Sequence, residues 1–215
     1  MTEAANPAAS DRRLIGSVEV PNWFDLPSTE ILTPVPGAIP LNERGATALR
    51  EAPNTEARVR VQLRAEEARE SVTWLMHGYD ELSAEVYDVR NGWFLLRYTQ
   101  NGKQAEGWLS PNDAGAFRPL SSLLLGRMSY LTPDWDGILY EKPDPSAHFE
   151  KLKDRIERQD VNVNDHVVRE GKDWFLVDVL EPGRCEKSPE ILRSGWIVAF
   201  SRSDKPQVWF YPRGC

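Results

Sequence analysis

Two cysteines and three histidines are the side chains in this sequence best suited to nucleophilic or metal chemistry, so they are weighed first. Cys185 lies in a charged stretch, Pro182-Gly183-Arg184-Cys185-Glu186-Lys187, and Cys215 is the last residue. A nucleophilic thiol needs a base within hydrogen-bond reach and surroundings that lower its pKa. Neither cysteine carries a motif that supplies them. A small cysteine-dependent hydrolase using Cys185 is therefore the alternative reading, not the leading one. From spacing alone the two thiols either form one disulfide or stay unpaired. Closing that loop would contribute roughly 3–4 kcal/mol in the chain-entropy account, before strain is subtracted. His77, His148 and His166 sit far apart in unrelated contexts. No metal-ligand spacing is present, and no metal or other cofactor is expected.

Carboxylates are plentiful. Glu66-Glu67 and the pair Asp134 and Asp136 could be read as acid and base, but neighbouring acids on a solvated loop are the ordinary case. Neither G-x-x-x-x-G-K-[ST], G-x-G-x-x-G nor H-E-x-x-H occurs. The formal net charge of −7 argues against a nucleic-acid partner, because phosphates attract Lys and Arg. It equally disfavours an anionic membrane surface. Apolar runs such as Trp93-Phe94-Leu95-Leu96 are far too short to cross a bilayer. Met1 to Arg13 lacks the hydrophobic stretch of a secretory leader.

Aromatics are the remaining candidates. Eight tryptophans exceed what a core of this size needs, and such side chains serve both small β cores and ligand surfaces. Trp135 and Tyr140 stand beside the turn residues Pro133, Asp134, Asp136 and Gly137. Trp74 and Tyr79 flank the extra residues of the first half. Trp209, Phe210 and Tyr211 are consecutive, so strand alternation turns at least one outward. Trp74, Tyr79, Trp135, Tyr140, Trp209 and Tyr211 are thus the candidate ligand contacts, and aromatics with acidic neighbours suit a peptide or glycan.

The elements that must position them are mostly strands. Residues 1–17 read as a disordered tail. Residues 18–45 hold Pro21, Pro27, Pro34, Pro36 and Pro40, which predicts an extended lead-in wrapped over the first domain. Val59, Val61 and Leu63 alternate with arginines, as on an edge strand with a wet face. Ala84–Val89 and Trp93–Tyr98 flank Asn91-Gly92, a strong hairpin signal, and Asn101-Gly102 marks the next turn. Leu120, Leu123 and Leu124 fit a turn of helix, and Phe149, Leu152 and Ile156 predict another. Val161 and Val163 return to strand alternation, and Val167-Val168, Trp174 to Val179, Gly195 to Phe200 and Val208 to Tyr211 complete the strands.

The two halves repeat one another. Leu49-Arg50-Glu51-Ala52-Pro53 echoes Leu139-Tyr140-Glu141-Lys142-Pro143. Asn91-Gly92-Trp93-Phe94-Leu95 echoes Lys172-Asp173-Trp174-Phe175-Leu176, and Gly107-Trp108-Leu109 echoes Gly195-Trp196-Ile197. Leu49-Arg50-x-x-Pro53-x-Thr55, followed by Gly92-Trp93 and Gly107-Trp108, resembles the bacterial SH3-like (SH3b) domain family. The resemblance covers roughly residues 46–115 and 136–212. It implies a mostly-β fold of two tandem SH3-like small β-barrels with short helical segments, barrel 1 over 46–120, and linker plus barrel 2 over 121–215. It also implies a non-catalytic recognition or scaffolding module at the bacterial cell envelope, periplasmic or envelope-associated. Its partner would be a cell-wall peptide, a glycan or an envelope protein. The second copy departs from the family pattern at Tyr140, and at an insertion over Glu181–Arg193. The first carries extra residues over Glu66–Glu81.

Overall fold

The computed structural model describes residues 12–23, 45–76, 82–152, 158–181 and 189–211. The chain divides into two compact units, Met1–Pro119 and Leu120–Cys215. The first contains β1 (Gly16–Val18), β2 (Thr47–Arg50), β3 (Val59–Leu63), helix α1 (Ala65–Ser71), β4 (Trp74–Met76), β5 (Leu82–Arg90), β6 (Trp93–Gln100), β7 (Lys103–Leu109) and β8 (Phe117–Pro119). They form an antiparallel sheet in the order β3-β2-β7-β6-β5-β1-β8, with β4 on β5. The second contains helix α2 (Leu120–Leu124), β9 (Met128–Leu131), β10 (Ile138–Tyr140), β11 (Phe149–Lys151), β12 (Asp160–Arg169), β13 (Lys172–Leu180), β14 (Ile191–Val198) and β15 (Val208–Phe210). Its order is β11-β10-β14-β13-β12-β9-β15.

Setting β4 aside, both units thread their strands identically: third, second, sixth, fifth, fourth, first, seventh. The register repeats too. Trp108 pairs with Leu95 and Trp196 with Leu176, two residues beyond Trp93 and Trp174 respectively. Arg50 opposes Trp108 as Tyr140 opposes Trp196. Each fourth strand carries a bulge at the same place, between Val86 and Asp88 in β5 and between Val163 and Asp165 in β12.

The glycine before each second tryptophan has a steric cause. A Cβ on Gly107 would lie 2.7 Å from Cβ of Leu49, and one on Gly195 would lie 3.0 Å from Cβ of Leu139. Only glycine lets the second strand of each unit cross this closely.

Several expectations need correction. The described pairings leave each sheet an open path between edge strands, and no closed barrel is present among the described residues. Gly16 and Ser17, placed with the tail by composition, are buried in β1 between β5 and β8. Val18, Val20 and Trp23 of the expected lead-in belong to the core, with the Trp23 indole N–H donating to the Leu63 carbonyl at 3.1 Å. The repeat therefore starts earlier than the motifs suggest, at β1 and β9. Phe149 is in edge strand β11, not a helix, because Phe149–Lys151 pairs with Ile138–Tyr140. The second hairpin turns at Glu170-Gly171, φ 51° and 71°, as the first turns at Asn91-Gly92, φ 51° and 79°. Lys172-Asp173 is thus strand. The second hairpin is two pairs longer, and that even number keeps Trp174 on the face of Trp93.

Candidate functional site

Alternation along β6 separates two surfaces. Phe94, Leu96 and Tyr98 enter the main core of the first unit, while Trp93 and Leu95 join Trp108 and Tyr87 in a second cluster on the opposite face. Arg97, two residues past Leu95, shares that second face and directly opposes Glu106. Its Nε donates to Glu106 Oε1 at 3.1 Å, and both side chains are about nine-tenths buried. Nη2 donates to the Arg12 carbonyl at 2.9 Å. The guanidinium lies 3.7 Å from the Tyr87 ring centroid, a cation–π contact. Arg12 in turn reaches Asp88 at 3.3 Å and Glu106 at 3.5 Å. The bulge in β5 is what lets both Tyr87 and Asp88 serve this cluster.

The Tyr87 hydroxyl donates to the Glu85 carboxylate. Burial raises the Glu85 pKa above the usual carboxylate value, against the Tyr87 hydrogen bond and the Arg97 charge, which lower it. Burial also raises Tyr87, helped by the Glu85 charge. The arrangement fastens the segment ahead of β1 across the meander β5–β6–β7.

Beside this cluster lies a cleft of about 410 Å³. Its walls are Arg12, Arg60 and Arg90, the loop Glu51–Pro53 after β2, and β7 from Gln104 to Glu106, with Leu95 and Trp108 as the apolar part. Arg90 stands 5.4 Å over the Trp108 ring and 2.9 Å from Asp88. Arg60 donates to the Glu106 carbonyl at 3.0 Å. Guanidinia around an aromatic patch suit a peptide that carries a carboxylate.

The second unit presents the matching face with different chemistry. Asp178 opposes Ser194 as Arg97 opposes Glu106. Asp165 stands where Asp88 does, and the bulged Asn164 where Tyr87 does. Asp178 accepts from the Ser194 hydroxyl and, at 2.7 Å, from the Asn164 amide. Nearer the hairpin, His166 Nε2 lies 3.0 Å from Asp173 Oδ1, with its ring against Phe175.

The six aromatics singled out from sequence fall into distinct environments. Trp74 packs edge-on against Trp23 at 5.7 Å and its N–H donates to the Ala68 carbonyl at 3.2 Å. Trp135 is buried and donates to the Ile138 carbonyl at 3.3 Å. Tyr140 sits half-buried between Trp174, 5.2 Å away, and the exposed Phe149, 5.8 Å away. Trp209 is half-buried and stacked on Phe210. The Tyr211 hydroxyl donates to Asp160 at 2.6 Å and its ring lies 4.8 Å from Tyr130. Tyr79, Cys185, Cys215 and His77 lie outside the described residues. The structure does not gather these aromatics into one cavity with the cleft; Trp108 is the tryptophan that lines it.

Of the acids considered for catalysis, Asp134 pairs with Lys205 at 3.5 Å, Asp136 accepts from the Ile138 amide, and Glu67 caps the start of α1. No group of three or more candidate metal ligands occurs among the described residues, and no helix there is long and apolar enough to cross a membrane.

Arg12, Arg97 and Glu106 were missed from sequence. The signal for two of them was present: a two-residue turn at Asn101-Gly102 forces Arg97 opposite Glu106, both on the tryptophan face. Comparison with known proteins returns no matching family model, no matching curated protein and no matching solved structure.

Proposed function

We propose that this chain is a non-catalytic recognition module of the bacterial cell envelope, and that the cleft of its first unit binds a carboxylate-bearing cell-wall peptide. The observation that carries the reading is the cleft itself: Arg12, Arg60 and Arg90 around Leu95 and Trp108, beside the loop Glu51–Pro53. Carboxylates are recognised by guanidinia in bidentate geometry, and an aromatic wall adds apolar contact at low entropic cost. The envelope setting and the two SH3-like domains come from the motif resemblance, and the repeated topology and register support a duplicated domain. Pairing of Cys185 with Cys215 belongs to the same reading, since disulfides persist outside the cytosol.

The test is co-sedimentation with purified peptidoglycan, followed by titration with soluble muropeptides. Wild type is retained, and the double variant Arg60→Glu/Arg90→Glu is released while keeping its circular dichroism spectrum. Equal retention of both proteins, or no retention of either, removes the cleft from the account.

A further inference from the structure

In the first unit the face formed by β5, β6 and β7 is already occupied by the chain's own Arg12. In the second unit, among the described residues, no segment ahead of the first strand crosses the same face. From this contrast we infer that the face of β12–β13–β14 is a docking surface for an extended polypeptide segment of a partner, held through an arginine seated on Asp178 and Asp165.

The argument begins with the occupant visible in the first unit. Ahead of β1, the Ile15 amide donates to the Val86 carbonyl, and three residues earlier Arg12 crosses the face to reach Asp88 and Glu106. In the second unit the Gly126 amide makes the matching bond to the Val163 carbonyl. There the preceding chain turns instead into α2, which packs against β15 at the edge of the sheet. The side chains exposed by this divergence differ accordingly. Leu95 and Trp108 of the first unit are 3% and 6% exposed, while their counterparts Leu176 and Trp196 are half-buried. Asn164, Asp165 and Ser194 are exposed.

The charge differs as well. The basic residue at the centre of the first face, Arg97, is replaced by Asp178, so two carboxylates on neighbouring strands face outward beside an indole. A guanidinium satisfies both at once, and its planar surface stacks on Trp196. The partner's backbone gains what Arg12 gains in the first unit, a crossing path over a preformed surface.

This inference rests on the recognition reading but uses a different unit and ligand, so the two fail separately. The probe is a fluorescein-labelled Gly-Arg-Leu-Arg-Val-Gly peptide, with the citrulline-for-arginine peptide as its uncharged isostere. Fluorescence anisotropy with the full chain is expected to give saturable binding of the arginine peptide, and binding weakened about tenfold for the citrulline peptide and for Asp178→Asn. Asp165→Asn should weaken it as well, and Arg60→Glu/Arg90→Glu should leave it unchanged. No binding of the arginine peptide, equal binding of the two peptides, or equal binding to Asp178→Asn would each overturn the inference. So would concentration-dependent self-association in sedimentation velocity that Asp178→Asn abolishes, because the occupant would then be a second copy.

Discussion

Replacing Arg97 by methionine keeps most of the apolar stem and removes the guanidinium. Glu106 is then left at 9% side-chain exposure with Arg12, at 3.5 Å, as its remaining ion-pair partner. The Arg12 carbonyl loses its 2.9 Å donor as well. Breaking one side of a buried pair costs about 3–5 kcal/mol, because the surviving charge stays desolvated. Removing both sides, in Arg97→Met/Glu106→Leu, takes away that orphaned charge and recovers much of the loss. The expected coupling in the double-mutant cycle is about 2 kcal/mol. Because the chain has two compact units, a single unfolding midpoint would blend them. Amide hydrogen exchange on β6 and β7 resolves the first unit alone, and β13 and β14 serve as the internal control. A coupling below about 0.5 kcal/mol would refute the reasoning, as would an unchanged exchange rate at Ile15 in Arg97→Met. The first outcome would mean that the pair is not one energetic unit, and the second that it does not fasten the segment ahead of β1.

Other perturbations test separate parts of the account. Gly107→Ala places a Cβ 2.7 Å from Leu49 and should cost about 1–3 kcal/mol. Gly195→Ala should act in the same direction in the second unit. Gly45→Ala meets nothing within 4 Å and should be neutral or slightly stabilising, and amide hydrogen exchange on each unit's strands reads all three variants. Glu85 has its pKa raised by burial, so its contribution is fully present below the unfolded-state carboxylate pKa and is lost as pH rises through the folded one. Wild type should therefore gain stability relative to Glu85→Gln as pH falls from 7 toward 4, read as the difference in amide exchange protection on β5 and β6 at each pH. A difference that stays constant over that range would contradict the burial of Glu85.

The strands and the duplication were legible because period-two alternation and the turn pairs Asn91-Gly92 and Asn101-Gly102 are local signals. The echo of Gly107-Trp108-Leu109 in Gly195-Trp196-Ile197 is what matches Trp108 to Trp196 from sequence. What was not legible depended on distant pairing. Gly16 and Ser17 look like part of a polar tail until β5 and β8 are placed on either side of them. The helical spacing at Phe149 was misleading because pairing of Phe149–Lys151 with Ile138–Tyr140 overrides periodicity in so short a segment, while Ile156 lies outside the described residues. Trp74 and Trp135 looked like ligand contacts because each sits beside polar sequence. Their indole N–H groups are spent on the Ala68 and Ile138 carbonyls instead. Arg12 could not be foreseen at the cleft, since its partners lie more than seventy residues away.

The most direct test of the recognition account is a two-dimensional amide NMR titration of the labelled full chain with soluble muropeptides, with mass spectrometry of the same tubes at the end. The account predicts shifts concentrated at residues 51–53, 60, 90 and 104–108, and muropeptides recovered with unchanged masses. Cleaved muropeptides that disappear with Cys185→Ala, or a spectrum that does not move at saturating ligand, would contradict it.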